Sequence, residues 1–255
     1  MKEDKITNPF NHRKIGSEEP FVRPEEAKLI LEHNAKVARK KNGNDLTLHY
    51  LHPVTGKLLP PMCWSGNPQH AAIMLLLKNP SWDLKSLNLI TQPEHFRRFE
   101  KVAHCIFEPE DYHNPYLHPD YRRHDRWHAN LFRDLHQEIS WGLGWDEEKT
   151  WLFLSQQVCI MELVPWRSRY WSDSAVVSNI HLDFVGPWVR KAMADPDRIV
   201  LMGRGEKQWK MMVDAAIGQQ PKVKNPQRMS LNRGNLQHKV YQQILDMLIH
   251  KSLFV

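Results

Sequence analysis

This 255-residue sequence has few cysteines and no long apolar run, and each of these features excludes some classes of protein. The chain has only three cysteines, an odd number with no C-x-x-C spacing, which is typical of free thiols in a reducing compartment. An iron–sulfur cluster held by four cysteines of this chain is excluded. No apolar run approaches the roughly 18 residues that cross a bilayer, and the opening MKEDKITNPF has no apolar leader. We therefore expect a soluble, cytoplasmic protein without a membrane partner.

Internal repeats and low-complexity tracts are also absent, so the chain is expected to fold as a globular unit. Residues 1–23 are polar and punctuated by proline, which predicts an N-terminal arm. The remaining residues, 24–255, are expected to form a single α/β domain, because 41% hydrophobic residues suffice for a sizeable core.

Basic and aromatic residues are plentiful. The sequence has 35 Lys and Arg against 29 Asp and Glu, with ten tryptophans and 15 histidines. A positive surplus favours polyanionic partners, and aromatic rings among basic side chains suit base stacking as well as they suit a core. Composition leaves both interpretations open.

Short apolar runs bounded by turn residues predict the strands of one buried sheet. They lie at 71–77, 158–164 and 198–202, with a weaker run near Val223. A helical pattern that begins at Pro24 precedes them, and others separate them, including one that ends at Gly218 and one in which Trp127 and Leu131 are expected to face inward. This alternation predicts a three-layer α/β/α sandwich on a four-stranded, mostly parallel sheet.

Ligands of such sheets bind at the carboxyl ends of the strands. The first strand runs into Lys78-Asn79-Pro80-Ser81, and the weak fourth strand runs into the NPQRMS of 225–230. Each Asn-Pro is an ordinary turn by itself. Two of them after two strands of one sheet could bring two side-chain amides, each both donor and acceptor, to the same edge.

These two motifs resemble those of the uracil-DNA glycosylase superfamily. The LLLKNPS of 75–81 resembles its first motif, in which a strand ends in Gly-hydrophobic-Asn-Pro-Gly, and NPQRMS resembles its second, Asn-Pro-Ser-Gly-Leu-Ser. The RIVLMGRGEKQW of 198–209 resembles its penultimate strand, and the resemblance covers roughly residues 66–250. A little-studied bacterial branch is more similar still, with GNP before the first strand and ELVPW ending the second. Leu77 and Ser81 replace motif glycines, and Gln227 and Arg228 replace Ser-Gly.

The resemblance implies a uracil-DNA-glycosylase-like fold and a monomeric enzyme that hydrolyses an N-glycosidic bond without metal or cofactor. Asn79 matches the position that orients the attacking water, and Asn225 matches the one that stabilises the departing base. Met229 matches the apolar wedge that fills the space of a flipped nucleotide. The partner implied is DNA, and the role is antiviral defence against hypermodified phage cytosines or base-excision repair.

Glu162 stands where relatives that read uracil carry an Asn. A carboxylate accepts from an exocyclic amine but cannot donate to a carbonyl, so this residue favours a cytosine derivative over uracil. An alternative is a salt bridge from Glu162 to Arg167 or Arg169.

The remaining candidates are assigned by their positions beside these motifs. Base recognition is expected from Trp82, Trp166 and Ser81, and DNA contacts from Lys78, Arg167, Lys224, Arg228 and Arg233. Tryptophans of this kind also serve as core, and the basic residues beside the second motif also suit a solvated loop. Strand alternation turns Lys78 away from Asn79's neighbours, so no strand-cleaving lyase activity is expected.

Two other function classes stay open. In HDRWH, His124 and His128 are spaced i and i+4, which can bind zinc on a helix and would make the protein a zinc-dependent hydrolase. A non-catalytic nucleic-acid-binding protein of the same fold is the other, because Leu77 and Ser81 replace glycines that let a ligand approach the backbone.

Overall fold

The protein is a mixed α/β structure in a computed structural model. The structure describes residues 8–40, 43–81, 83–105, 113–122, 126–170 and 179–253. Trp82 and His124 fall outside these ranges.

Helices in the described part of the chain alternate with four short strands. The α-helices are α1 Pro24–Val37, α2 Leu84–Ile90, α3 Pro93–Ala103, α4 Pro119–Arg122, α5 Arg126–Leu143, α6 Glu147–Gln157, α7 Asn179–Ala194, α8 Glu206–Met212 and α9 His238–Ser252. The strands are β1 Trp64–Ser65, β2 Ile73–Leu77, β3 Val158–Glu162 and β4 Ile199–Met202, and 3-10 turns cover Gly43–Leu46 and Ala215–Gln219.

The strands form one open, mostly parallel sheet in the order β1-β3-β2-β4. The three predicted apolar runs are confirmed as β2, β3 and β4, and every residue of β2 and β3 is buried. β4 runs parallel to β2, with Ile73 opposite Ile199 and Leu76 opposite Met202. A continuously apolar strand fits a sheet covered on both faces.

The fourth strand is not the one that the sequence predicts. Around Val223 the chain makes a single parallel bridge between Met202 and Lys222, while the two-residue β1 completes the sheet. Pro221 and Pro226 enclose this segment, and proline cannot donate to a ladder. The prediction of a full strand there was therefore wrong.

The end of β4 packs tightly against the end of β2. The backbone N–H groups of Gly203 and Arg204 both donate to Leu76 O at 3.0 Å, and Trp209 Nε1 donates to Leu77 O at 2.8 Å. A Cβ added to Gly203 would lie 2.8 Å from Leu77 Cδ2. A side chain at this turn would press on the ends of Leu77 and Leu75 and on Leu76 O, so glycine gives the closest packing here.

The chain divides into two compact units. One comprises residues 1–64, 78–107 and 162–187, and the other 65–77, 108–161 and 188–255. The core of the second unit is formed by β2, the helices α5, α6 and α9, and the loop residues Met229 and Leu231.

The first unit contains the segment predicted as an arm. Phe10 and Phe21 are buried there, at 3% and 2% exposure, and their rings meet edge to face. Arg13 forms a buried ion pair with Glu100 at 2.6 Å. Residues 8–23 therefore pack into this unit through apolar and ionic contacts.

Two helix predictions need correction. Trp127 lies in the first turn of α5 with 40% of its surface exposed, whereas Leu131 and Leu135 on the same helix are buried. The helix begins at Arg126, so its first turn extends beyond the core that the later turns cover. The helix predicted to end at Gly218 stops at Met212, and a separate 3-10 turn follows.

None of the helices in the described ranges is long and apolar enough to cross a membrane.

Candidate functional site

The loop after β2 lies against the segment that follows β3, within the first unit. Lys78 O accepts from Val164 N at 2.9 Å, and Pro80 O accepts from Ser168 N at 3.3 Å. These backbone hydrogen bonds bring together two of the strand ends that the sequence predicted as site edges. Pro80 is buried between them, while Ser81 is exposed.

The Asn79 side chain is oriented by its amide nitrogen. Nδ2 donates to Ser168 Oγ at 2.8 Å and to Pro80 O at 3.3 Å, and Ser168 Oγ in turn donates to Tyr170 O at 2.8 Å. The carbonyl oxygen Oδ1 has no hydrogen bond to the described residues. A half-buried acceptor with a fixed direction can receive a hydrogen bond from a water molecule.

Glu162 is the last residue of β3, and its backbone is held at both ends. Its N–H donates to Cys63 O at 2.7 Å, and its carbonyl accepts from His181 Nε2 at 3.4 Å. The residue is 7% exposed. Arg169, one of its two predicted partners, pairs with Asp45 at 3.4 Å.

A buried cysteine–histidine pair lies behind Glu162. Cys63 Sγ is 3.1 Å from His181 Nδ1. Burial raises the pKa of the Cys63 thiol well above its usual range and lowers the pKa of His181 to about 4. Both groups are therefore neutral near pH 7, so the thiol can donate to Nδ1 while Nε2–H donates to Glu162 O. Sequence reasoning missed this pair, since 118 positions separate its members.

Trp166 and Arg167 are interior residues of the first unit. Trp166 is 1% exposed, and its Nε1 donates to Glu26 Oε1 at 3.0 Å. Arg167 is 2% exposed, with its backbone bridged to His49 and its NH1 donating to Ser81 O at 3.5 Å. In this arrangement neither side chain presents a surface for a base or a phosphate. Trp82, the other stacking candidate, lies outside the described residues.

The Asn225 loop belongs to the second unit and is exposed. Asn225 Oδ1 accepts from the backbone N–H groups of Gln227 and Arg228, both at 3.1 Å. An Asn carbonyl that accepts from N–H groups two and three positions later closes a local turn. Its Nδ2 makes no hydrogen bond to the described chain and is available as a donor.

Asn235 fixes the shape of this loop. It is buried, and its Nδ2 donates to Arg228 O at 3.0 Å and to Ser230 O at 3.1 Å. Its Oδ1 accepts from Asn225 N at 2.7 Å. Sequence reasoning missed this residue, whose only signal is an Asn ten positions after an Asn-Pro turn.

Three other predicted residues, Arg228 and Met229 of the second motif and Arg233 just after it, differ in exposure and in partners. Arg228 is exposed. Arg233 forms a two-pronged ion pair with Glu138, with nitrogen–oxygen distances of 3.1 and 2.7 Å. Met229 is 8% exposed and belongs to the apolar core of its unit. Insertion of Met229 between bases would therefore require the loop to move.

Lys224 is exposed, and its Nζ lies 3.4 Å from Gly234 O. The Arg233 ion pair lowers the pKa of the Glu138 carboxyl, and Tyr241 O–H also donates to Glu138 at 2.9 Å. Because Arg233 is already paired, Arg228 and Lys224 are the basic side chains of this loop that can meet a phosphate without first breaking an ion pair.

The zinc alternative rests partly on His124, which lies outside the described residues. His128 stacks on the Tyr116 ring with centroids 4.0 Å apart. Within the described ranges, no group of three or more His, Cys, Asp or Glu side chains is arranged to hold a metal ion.

No protein-family model, curated protein or solved structure matches this chain. Its function must therefore be argued from its own residues.

Proposed function

We propose that the chain is a DNA glycosylase with a three-layer, uracil-DNA-glycosylase-like fold. It extrudes an aberrant base and hydrolyses its N-glycosidic bond to leave an abasic site. The observation that carries this proposal is the Asn79 amide after β2, whose Nδ2 is fixed by Ser168 at 2.8 Å and whose Oδ1 can accept from water. We place its action in the cytoplasm, as a monomer, in antiviral defence or base-excision repair.

The reaction needs a positioned water and stabilisation of a leaving base. Cleavage of the bond to C1′ runs through a cationic sugar, so most of the catalysis is electrostatic and positional. Asn79 Oδ1 supports the first role because it can orient the water that adds to C1′. Asn225 supports the second because Nδ2 can donate to the base as it departs with the bonding electron pair.

Glu162 supports a cytosine derivative as the substrate. It is the last residue of β3, and its backbone is fixed by Cys63 O and His181 Nε2. A carboxylate accepts from the exocyclic amine of cytosine, whereas uracil presents a carbonyl at that position. The same group would repel uracil, so the expected substrate is cytosine-derived.

The test is excision from defined oligonucleotides. Duplex and single-stranded DNA carrying cytosine, 5-hydroxymethylcytosine, glucosylated 5-hydroxymethylcytosine or uracil is incubated with the full chain and then treated with hot alkali. We expect alkali-sensitive sites at modified cytosine, and a loss of at least about a hundredfold in Asn79→Ala. Asn11→Ala, an exposed asparagine of the same unit, is the matched control.

Three outcomes would overturn the proposal. Absence of abasic sites on every substrate would leave a nucleic-acid-binding protein. Activity that survives in Asn79→Ala would remove the assigned water-orienting group. Activity abolished by a chelator and restored by zinc would favour the hydrolase that uses His124 and His128.

A further inference from the structure

An exposed tryptophan lies beside the Asn225 loop in the second unit. Trp127, in the first turn of α5, has 40% of its surface exposed. The Arg204 guanidinium carbon lies 6.0 Å from the centroid of its ring, within the range of a cation–π contact. The His128 ring meets the indole nearly edge to face, with centroids 4.6 Å apart.

Arg204 connects this tryptophan to the second motif. Its Nε donates to Pro226 O at 2.8 Å, and its backbone N–H donates to Leu76 O at 3.0 Å. The guanidinium is thus fixed between the end of β4 and the loop that carries Asn225. Trp127, Arg204 and Pro226 form one contiguous surface, here named the Trp127 surface.

Further cations belong to the same two segments as Trp127 and Pro226. Arg126 precedes it in the chain, and Lys224 and Arg228 lie on either side of Pro226 in the loop; all three are exposed. An exposed aromatic face next to several cations is the combination that binds single-stranded nucleic acid, because bases stack on the ring while the cations meet phosphates. Stacking is tolerant of sequence, since every base has a flat face.

We propose that the Trp127 surface binds single-stranded nucleic acid, with a base stacked on the indole and phosphates on Arg204, Lys224 and Arg228. This inference rests on the proposed function in one respect: the single-stranded nucleic acid is identified as DNA because the chain is proposed to be a DNA glycosylase. The proposal assigns to this surface a single-stranded stretch of the DNA substrate. Trp127 and Arg204 are binding residues here and take no part in bond cleavage.

The test is binding of the full chain to a fluorescein-labelled oligothymidylate of about 15 nucleotides, followed by fluorescence polarisation at several salt concentrations. We expect Trp127→Ala to weaken binding about tenfold, within the range measured for the loss of a stacked base. Trp127→Phe should retain most of the affinity because it keeps a stacking face. Arg204→Ala should weaken binding and lower the salt dependence by about one counterion.

The matched control is Trp141→Ala, which removes another tryptophan of α5, 78% exposed. It should bind like the wild type, and thermal unfolding of each variant separates lost contacts from lost folding. Equal affinity of wild type and Trp127→Ala, equal weakening by Trp141→Ala, or no binding by the wild type would each overturn this inference.

The inference and the proposed function fail in different ways. If excision is lost in Asn79→Ala but oligonucleotide binding is unchanged in Trp127→Ala, the Trp127 surface alone is overturned. Binding that depends on Trp127 without excision from any DNA would overturn the glycosylase and retain the surface.

Discussion

The amide of Asn79 donates from Nδ2 to the hydroxyl oxygen of Ser168 at 2.8 Å. The Ser168 hydroxyl donates its own hydrogen bond to Tyr170 O, so its lone pairs face the amide. The Asn79 Nδ2 is thus used in hydrogen bonds within the protein, and its carbonyl oxygen can accept a hydrogen bond from a bound water. Ser168 is thus a positioning residue for the group that we expect to orient water.

Ser168→Ala is expected to slow excision about tenfold while leaving DNA affinity unchanged. The alanine removes the acceptor that fixes Asn79, and misorientation of a catalytic group costs rate more than binding. Single-turnover rates and polarisation measure the two quantities separately. Ser168→Thr keeps the hydroxyl and should restore most of the rate, and equal losses in both variants would contradict a positioning role.

Glu162→Gln should lower excision of a cytosine derivative and raise that of uracil relative to it. The amide keeps the shape of the carboxylate but adds a donor, which suits the uracil carbonyl. Competition between the two bases in one labelled mixture gives the ratio of kcat/KM directly. An unchanged ratio would show that Glu162 does not read the base. Asn11→Ala is again the control and should excise the two bases in the same ratio as the wild type.

The strands of the sheet were the most predictable part of the structure. β2, β3 and β4 are short apolar runs bounded by turn residues, a local signal, whereas the weaker run near Val223 forms a single bridge. The Cys63–His181 contact has no such signal, because residues that are far apart in sequence carry no mark of their pairing. Trp127 fits the helical period of α5, but the period does not tell where the core stops covering the helix.

The site residues also divide into those whose positions follow from local sequence and those whose contacts depend on the tertiary structure. The sequence placed Asn79 and Glu162 at strand ends, and the structure confirms both positions. It could not foresee that Trp166 hydrogen-bonds Glu26 in the interior, because a tryptophan after a strand suits a pocket and a core equally. Asn235 was missed because the three hydrogen bonds of its Nδ2 depend on the finished shape of a loop.

Stability should fall as the pH drops from about 6.5 to about 4, because burial lowers the pKa of His181 to about 4. In this window the unfolded chain binds a proton that the folded chain does not, so acid favours unfolding, by at most about 3 kcal/mol for this one group. Urea unfolding between pH 4 and 7.5 measures the slope. His49, His104 and His136, whose pKa values burial also lowers, add to it in the same direction.

His181→Gln should flatten part of that slope, since glutamine does not titrate. The exposed His238→Gln is the control and should leave the slope as it is in the wild type. A wild-type slope that persists unchanged in His181→Gln would show that His181 is not the buried neutral group described above.

Gly66→Ala should destabilise the fold by more than about 3 kcal/mol. Gly66 has a φ of +91°, and a Cβ there would lie 2.2 Å from Val158 O, so alanine would force β3 away. Gly56 is a matched control with a φ of +68° and open space around it. Gly56→Ala should cost only the backbone strain of about 1 to 2 kcal/mol, and equal losses in chemical denaturation would refute the close approach.

Arg228 and Arg233 offer a comparison of two arginines in one loop region. Arg233 is committed to Glu138 through two hydrogen bonds, whereas Arg228 is exposed. Glu138 neutralises the charge of Arg233 and occupies two of its five donors, so Arg233 attracts a phosphate less than Arg228 does. Arg228→Ala should therefore weaken DNA binding severalfold and lower the salt dependence by about one counterion, and Arg233→Ala should change both quantities less. Polarisation titrations at roughly 50 to 200 mM salt give both quantities. A larger salt effect for Arg233→Ala would mean that DNA binding opens the ion pair with Glu138, and the phosphate contact would then belong to Arg233.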